Sequence, residues 1–248
     1  MACLALFVRL LFVGVAALTA AQVSAGVVIT GTRLIYPAGQ KEITVKLDNA
    51  GTQPSLIQSW LDTGDVESTP TQSQAPFLIS PPVARIDPGK GQTLRVMFTG
   101  TAIEQDKESV FWLNVLDIPP RPQDGDLNTL QMAFRSRIKL FYRPEKLVGT
   151  ASEAIDQVQW QVVAARNGQG WELQAYNPSA FHVSLIELEL VDGSKRERSE
   201  DGMIAPGEKR AFPLSALKFR PGPTAHVQFN AINDYGALVP VRKGLSSQ

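Results

Sequence analysis

Residues able to do chemistry are sparse in this chain, and the ones that stand out are cations. The stretch "RSRIKLFYRP", residues 135–144, threads Arg137, Lys139 and Arg143 through Ile138, Leu140, Phe141 and Tyr142. Just upstream, "NTLQMAFRS" puts Leu130, Met132 and Phe134 on every second position, so the two stretches read as one long period-2 strand. A long apolar strand carrying cations is not an ordinary core element. Acid–base and nucleophilic chemistry has little to work with. His182 and His226 are the only histidines, Cys3 is the only cysteine, and none stands in a metal-ligand spacing such as HxxxH or CxxC. No GxSxG motif occurs, and "ARNGQGWE" follows no strand-to-helix pattern that cradles phosphate. The chain is expected to be neither an enzyme nor a holder of metal or cofactor.

Composition restricts the partners further. A chain of 248 residues with 44% hydrophobic and 19% charged residues is soluble and globular, with room for one large or two ordinary domains. Lysine plus arginine and aspartate plus glutamate both number 24, so no net field draws nucleic acid or an anionic membrane. Any cationic site must be local.

Residues 1–25 read as a cleaved secretory signal. Arg9 precedes an apolar run from Leu10 to Leu18, and Val23, Ser24 and Ala25 supply small residues for cleavage after Ala25. The alternative, a membrane anchor, needs roughly 20 apolar residues, more than follow Arg9. Cys3 leaves with the signal, so the secreted chain has no disulfide and relies on core burial.

The positioning elements are strands. "EITVKLDN", "PSLIQSWLD", "QTLRVMF" and "SVFWLNVLDI" alternate or cluster apolar residues, with the turn signals "YPAG", "DNAG" and "DPGKG" between them. The fold class is all-β, and short strands at this spacing indicate a sandwich or barrel. The order of parts repeats. "VKLDNAGTQPSLIQSWL" followed by "DPGKGQTLRV" is echoed by "WELQAYNPSAFHVSLIELEL" followed by "APGEKRAFPL". "RPEKLVGTASEA" suits a linker, with the boundary near Pro144–Thr150, giving domains 26–145 and 146–248.

Six segments in order, "TRLIYP", "ISPPVARIDPG", "ESVFWLNVLDIPPRP", "LQMAFRSRIKLFYRP", "NPSAFHVSL" and "INDYGALVPV", carry a resemblance. The chain resembles the periplasmic pilus-assembly chaperones of the chaperone/usher pathway, the PapD-like family. The resemblance implies two immunoglobulin-like sandwiches at an angle with a cleft between them. It implies a function as well: binding, folding and capping pilus (fimbrial) subunits, then delivering them to an outer-membrane usher. A subunit sandwich that lacks its last strand exposes core, and the chaperone lends a strand whose alternate side chains fill the groove. The implied donor residues are Asn128, Leu130, Met132 and Phe134. Without a subunit, such an apolar edge is expected to self-associate.

Other roles also follow only from the resemblance. Arg33 and Lys139 line the cleft and grip the subunit's C-terminal carboxylate, a task suited to a planar fork beside a point charge. That anchor fixes register, since a one-residue slip turns every donor side chain away from its pocket. Arg143 pairs with Glu108 and Asp234 and sets the angle between domains. Pro81 of "SPP" stands where the family often has a cis proline, and the sequence leaves the isomer open. "IPPRPQDGDLN" resembles the short connection of the rod-forming subclass. Some relatives bridge two cysteines in the second domain, which this chain lacks. Two readings from other classes stay open: a secreted two-domain immunoglobulin-like binding module, and a pilus or adhesin subunit.

Overall fold

Alternation decides which face of each strand is buried. A computed structural model describes residues 26–121, 131–165, 170–214 and 220–246. The signal segment, Asn128, Leu130 and most of the "IPPRPQDGDLN" connection lie outside the described residues. The first half forms β1 (Val27–Ile29), β2 (Arg33–Pro37), β3 (Ile43–Asn49), β4 (Ser55–Asp62), β5 (Phe77–Ser80), β6 (Val83–Ile86), β7 (Gly91–Phe98), β8 (Ser109–Ile118) and β9 (Phe134–Arg143). The second half forms a short helix α1 (Ala151–Gln157) and then β10 (Gln159–Ala164), β11 (Trp171–Tyr176), β12 (Val183–Asp192), β13 (Lys195–Arg198), β14 (Gly202–Ile204), β15 (Lys209–Leu214), β16 (His226–Ile232) and β17 (Leu238–Gly244). In β3, Val45 and Leu47 are buried while Thr44 and Lys46 are exposed, and β16 buries Val227, Phe229 and Ala231 in the same way.

Each half is a sandwich of two sheets. In the first, β1-β3-β7-β5 faces β2-β9-β8-β4-β6. Its core holds Leu47, Ile57, Leu94, Leu113 and Leu140, with Tyr36, Phe77, Phe98 and Tyr142 in mutual ring contact. In the second, β10-β11-β15 faces β13-β12-β16-β17, with β14 also on β12, around Trp160, Phe212 and Phe229. The repeat seen in the sequence has a physical basis. Asn49 and Asn177 are both buried, and each side-chain amide donates to one loop carbonyl and one strand-end carbonyl, Gln53 and Ile86 for one, Phe181 and Ile204 for the other. Each backbone amide is matched too, Asn49 with Lys90 and Asn177 with Glu208, at tight turns where Gly89 and Gly207 adopt positive φ. Buried polar groups must be paired, so one asparagine per domain ties a loop to the end of a strand.

Two details differ from the sequence reading. The apparent linker contains α1, started by a capping box in which Thr150 accepts from the Glu153 amide and Glu153 accepts from the Thr150 amide. The long strand also starts later than its alternation suggests. β9 begins at Phe134, paired with Asp117, because β8 ends at Ile118 and Pro119 and Pro120 offer no amide to continue the ladder. The Gln131 side chain donates to the Pro119 carbonyl instead. The Ser80–Pro81 peptide bond is cis.

Candidate functional site

β9 is paired unequally on its two edges. Against β8 it is antiparallel from Phe134 to Tyr142, but against β2 it is parallel only from Lys139 to Arg143. Residues 134–138 therefore keep one unpaired edge, and that edge stops where β2 begins, at Arg33. Arg33 and Lys139 are register partners there, so their side chains leave the sheet on one side.

Both cations are half-buried, and among the described residues neither makes an ion pair. One Arg33 amino group donates to the Ile232 carbonyl of the second domain, its ring-side neighbour is Phe141, and its Nε is buried without a partner. Burial lowers the Arg33 pKa from its ordinary value, against the opposing pull of Asp234 and Glu108. Burial also lowers that of Lys139, and the charges of Arg33 and Arg210 add to the effect. Two partly desolvated like charges thus stand side by side, with the Arg33 Nε unengaged.

The acids nearby are occupied by Arg143. Its guanidinium donates to Glu108 at 2.8 and 3.0 Å and to Asp234 at 2.6 and 3.0 Å. Glu108 follows the loop before β8 in the first domain, while Asp234 lies in the β16–β17 turn of the second. Burial works to lower the Arg143 pKa, but the two carboxylates outweigh it and raise the value. The other oxygen of Glu108 accepts from the backbone amide of His182 and lies 3.0 Å from its ring Nδ1. The Glu108 amide in turn donates to the Ala180 carbonyl. A buried carboxylate thus joins the domains with nearly every acceptor filled. His182, one of the two histidines that the sequence places in no metal-ligand spacing, belongs to this junction. Arg33, Phe141, Ile155, His182, Asp234 and Tyr235 are among the residues that line a cavity of about 140 Å³ beside it.

Met132 and Phe134, the described members of the expected donor set, face solvent. Met132 is 52% and Phe134 61% exposed, although Leu140 and Tyr142, on the same parity of the strand, are buried in the core. Residues of the opposite parity form a layer that sequence reasoning missed. The Arg135 guanidinium stacks on Trp60 and that of Arg137 on Trp112, at 4.8 and 4.7 Å from the ring centres. Arg137 makes a forked contact with Asp62, at 2.6 and 3.1 Å. The period-2 series Arg135, Arg137, Lys139 was the available signal, but only the sheet register identifies its partners.

Two sandwiches joined at a buried charge cluster, with a half-paired strand ending beside two half-buried cations, are the features of a two-domain β chaperone. The comparisons agree. Residues 26–148 match the pili and flagellar-assembly chaperone family, PapD N-terminal domain, and residues 153–243 match the pili assembly chaperone PapD, C-terminal domain. The chaperone protein FimB/FhaD of Bordetella pertussis is 40% identical over 94% of this chain and 96% of its own. The probable fimbrial chaperone YadV of Escherichia coli is 42% identical over 87% of this chain and 88% of its own. The YadV crystal structure superposes with a TM-score of 0.77 over 89% of this chain and all of that one. The SafB chaperone, solved in complex with the Salmonella enterica SafA pilin, is similar at 26% identity, with a TM-score of 0.72 over 89% of this chain and 96% of that one. The chain belongs to the PapD-like family of pilus-assembly chaperones. Its function is fimbrial assembly, a folding and assembly activity without catalysis.

The lowered Lys139 pKa has a thermodynamic consequence. At neutral pH the folded protein carries a charge that its surroundings disfavour, and that cost begins to fall once pH passes the lowered value and is gone above lysine's ordinary value. Lys139→Met is therefore expected to melt at or above the temperature of the parent at pH 7, with the advantage fading at high pH. Calorimetry across that range checks it. A variant melting well below the parent at neutral pH would show that the lysine stabilises the free fold.

Proposed function

We propose that the chain captures a pilus subunit at the open edge of β9 and holds its C-terminal carboxylate between Arg33 and Lys139. The observation that carries this reading is the coincidence of two endpoints. The unpaired edge of residues 134–138 ends at Lys139, where Arg33 keeps a buried Nε without a partner. A chain that pairs along this edge and ends at the cations must run parallel to β9, in line with β2, which continues the same edge beyond. Its groove would receive Met132 and Phe134, and by extension Leu130 and Asn128. Burying each large side chain contributes roughly 1.5 to 3 kcal/mol, an upper estimate. The complex of the similar SafB with a pilin supports a pilus subunit as the partner.

The same reading places the work in the periplasm, after removal of residues 1–25, with hand-over of the subunit to an outer-membrane usher. The Glu108–Arg143–Asp234 bridge holds the second domain against the anchor. In the absence of a subunit the open edge pairs with a second copy of the chain. Sedimentation over a wide concentration range is expected to show reversible self-association, and a strict monomer at high concentration would contradict it.

The anchor has a direct test. A peptide with the subunit's C-terminal sequence is expected to lose roughly ten- to hundredfold in affinity when its carboxylate is amidated, the effect of removing one charged hydrogen-bond partner. Titration calorimetry reads the difference. Equal binding of acid and amide would remove the carboxylate from the account.

A further inference from the structure

The stretch of β9 with the open edge has a structural problem, because a strand paired on one side only is free to fray or twist away. Its outward face carries a set of contacts that the carboxylate anchor and the interdomain bridge do not use. Asp62, at the end of β4, is buried with 2% of its side chain exposed. It accepts from Arg137, from the Asn114 side chain at 2.7 Å and from the Gly64 amide at 2.7 Å. Burial pushes its carboxyl up, and the hydrogen bonds from Arg137, Asn114 and Gly64 outweigh that and hold it below the usual carboxylate range. Arg135 donates to the Asn114 side-chain Oδ1 at 2.9 Å and to the Val66 backbone carbonyl at 2.7 Å, which ties the start of β9 to the loop after β4. The Trp60 indole donates to Ser68 in that loop. Gly64 sits in this loop at a φ of +122°, and a Cβ there would lie 3.3 Å from the Trp112 ring. The layer thus spans β4, β8 and the open part of β9.

We propose that Arg135 and Arg137, held by Asp62, Asn114, Trp60 and Trp112, are positioning residues that keep residues 134–138 extended for strand lending. The inference rests on the capture reading above. A guanidinium stacked on an indole and forked onto a carboxylate is fixed in two directions, so its backbone is fixed with it. The arginines alternate with Phe134 and Ser136, both exposed, so bracing one face presents the other. An incoming strand then meets an edge whose ordering cost is already met.

The test compares peptide lengths. Two free-acid peptides share one C-terminal sequence: a long one of about ten residues, alternating in apolar side chains, and a short one of about three residues that reaches only the anchor. In the parent the long peptide binds more tightly. Arg137→Met is expected to reduce the long-to-short affinity ratio by about tenfold or more, comparable to ordering one residue's backbone. The short peptide's affinity and its loss on amidation are expected to stay at parent values. Arg137→Lys, which keeps charge but not fork or stack, is expected to fall between. Because Arg137→Met strands the buried Asp62 carboxylate, the paired variant Asp62→Asn/Arg137→Met provides a form without that orphan charge. A folded variant with an unchanged ratio overturns the brace. So does failure of both variants to fold, which would make the layer a folding element only. If the parent itself binds long and short peptides alike, strand lending fails and the brace falls with it, whereas loss of the amidation effect alone strikes only the anchor.

Discussion

The structure depends on one constraint, the half-paired edge of β9. A backbone edge must be paired with protein or water, and an apolar edge left open in a secreted protein is a template for unwanted pairing. Here β2 covers Lys139–Arg143 and stops, leaving residues 134–138 open toward solvent with Phe134 exposed beside them. The boundary between covered and open edge is also where the two cations stand. Geometry and electrostatics therefore mark the same point along the strand, and a chain end that satisfies the charges also lies in register with the edge.

The neighbouring charges keep that point unsatisfied. Glu108 and Asp234 are close enough to influence Arg33, yet both are engaged by Arg143, and Glu108 also accepts from His182. Removing Arg143 would leave the buried Glu108 carboxylate without its cation, a cost on the order of 3 to 5 kcal/mol. The bridge thus has two consequences. It joins the domains, and it engages the acids near Arg33, so that in the proposed capture the Arg33 and Lys139 donors are left for the subunit's carboxylate.

Much of the fold was readable before the structure, because period-2 alternation and turn residues are local. The repeated Asn-led turns are an example: Asn49 and Asn177 announce themselves by position, and the structure gives each the same hydrogen bonds to a loop and to the end of a strand. The cations were harder. A resemblance supplied roles for Arg33, Lys139 and Arg143, but nothing local linked Arg137 to Asp62, which lies 75 positions away and two strands across the sheet. Register across a sheet is a tertiary fact, and so is the start of β9 at Phe134, which depends on prolines in the connection after β8. The short helix α1 escaped notice for another reason. Its two turns rest on a capping box and on burial of Ala154 and Ile155 against the second core, with no long amphipathic pattern to reveal them.

Amide hydrogen exchange along β9, with and without bound subunit, tests the central claim most directly. In the free protein, amides of residues 139–143 should be protected on both edges, and within 134–138 only those directed at β8 should be. Binding should then protect the remaining amides of 134–138 and leave 139–143 unchanged. Uniform protection of 134–138 in the free monomer, or a gain on binding that falls elsewhere in the chain, would contradict an account built on this edge.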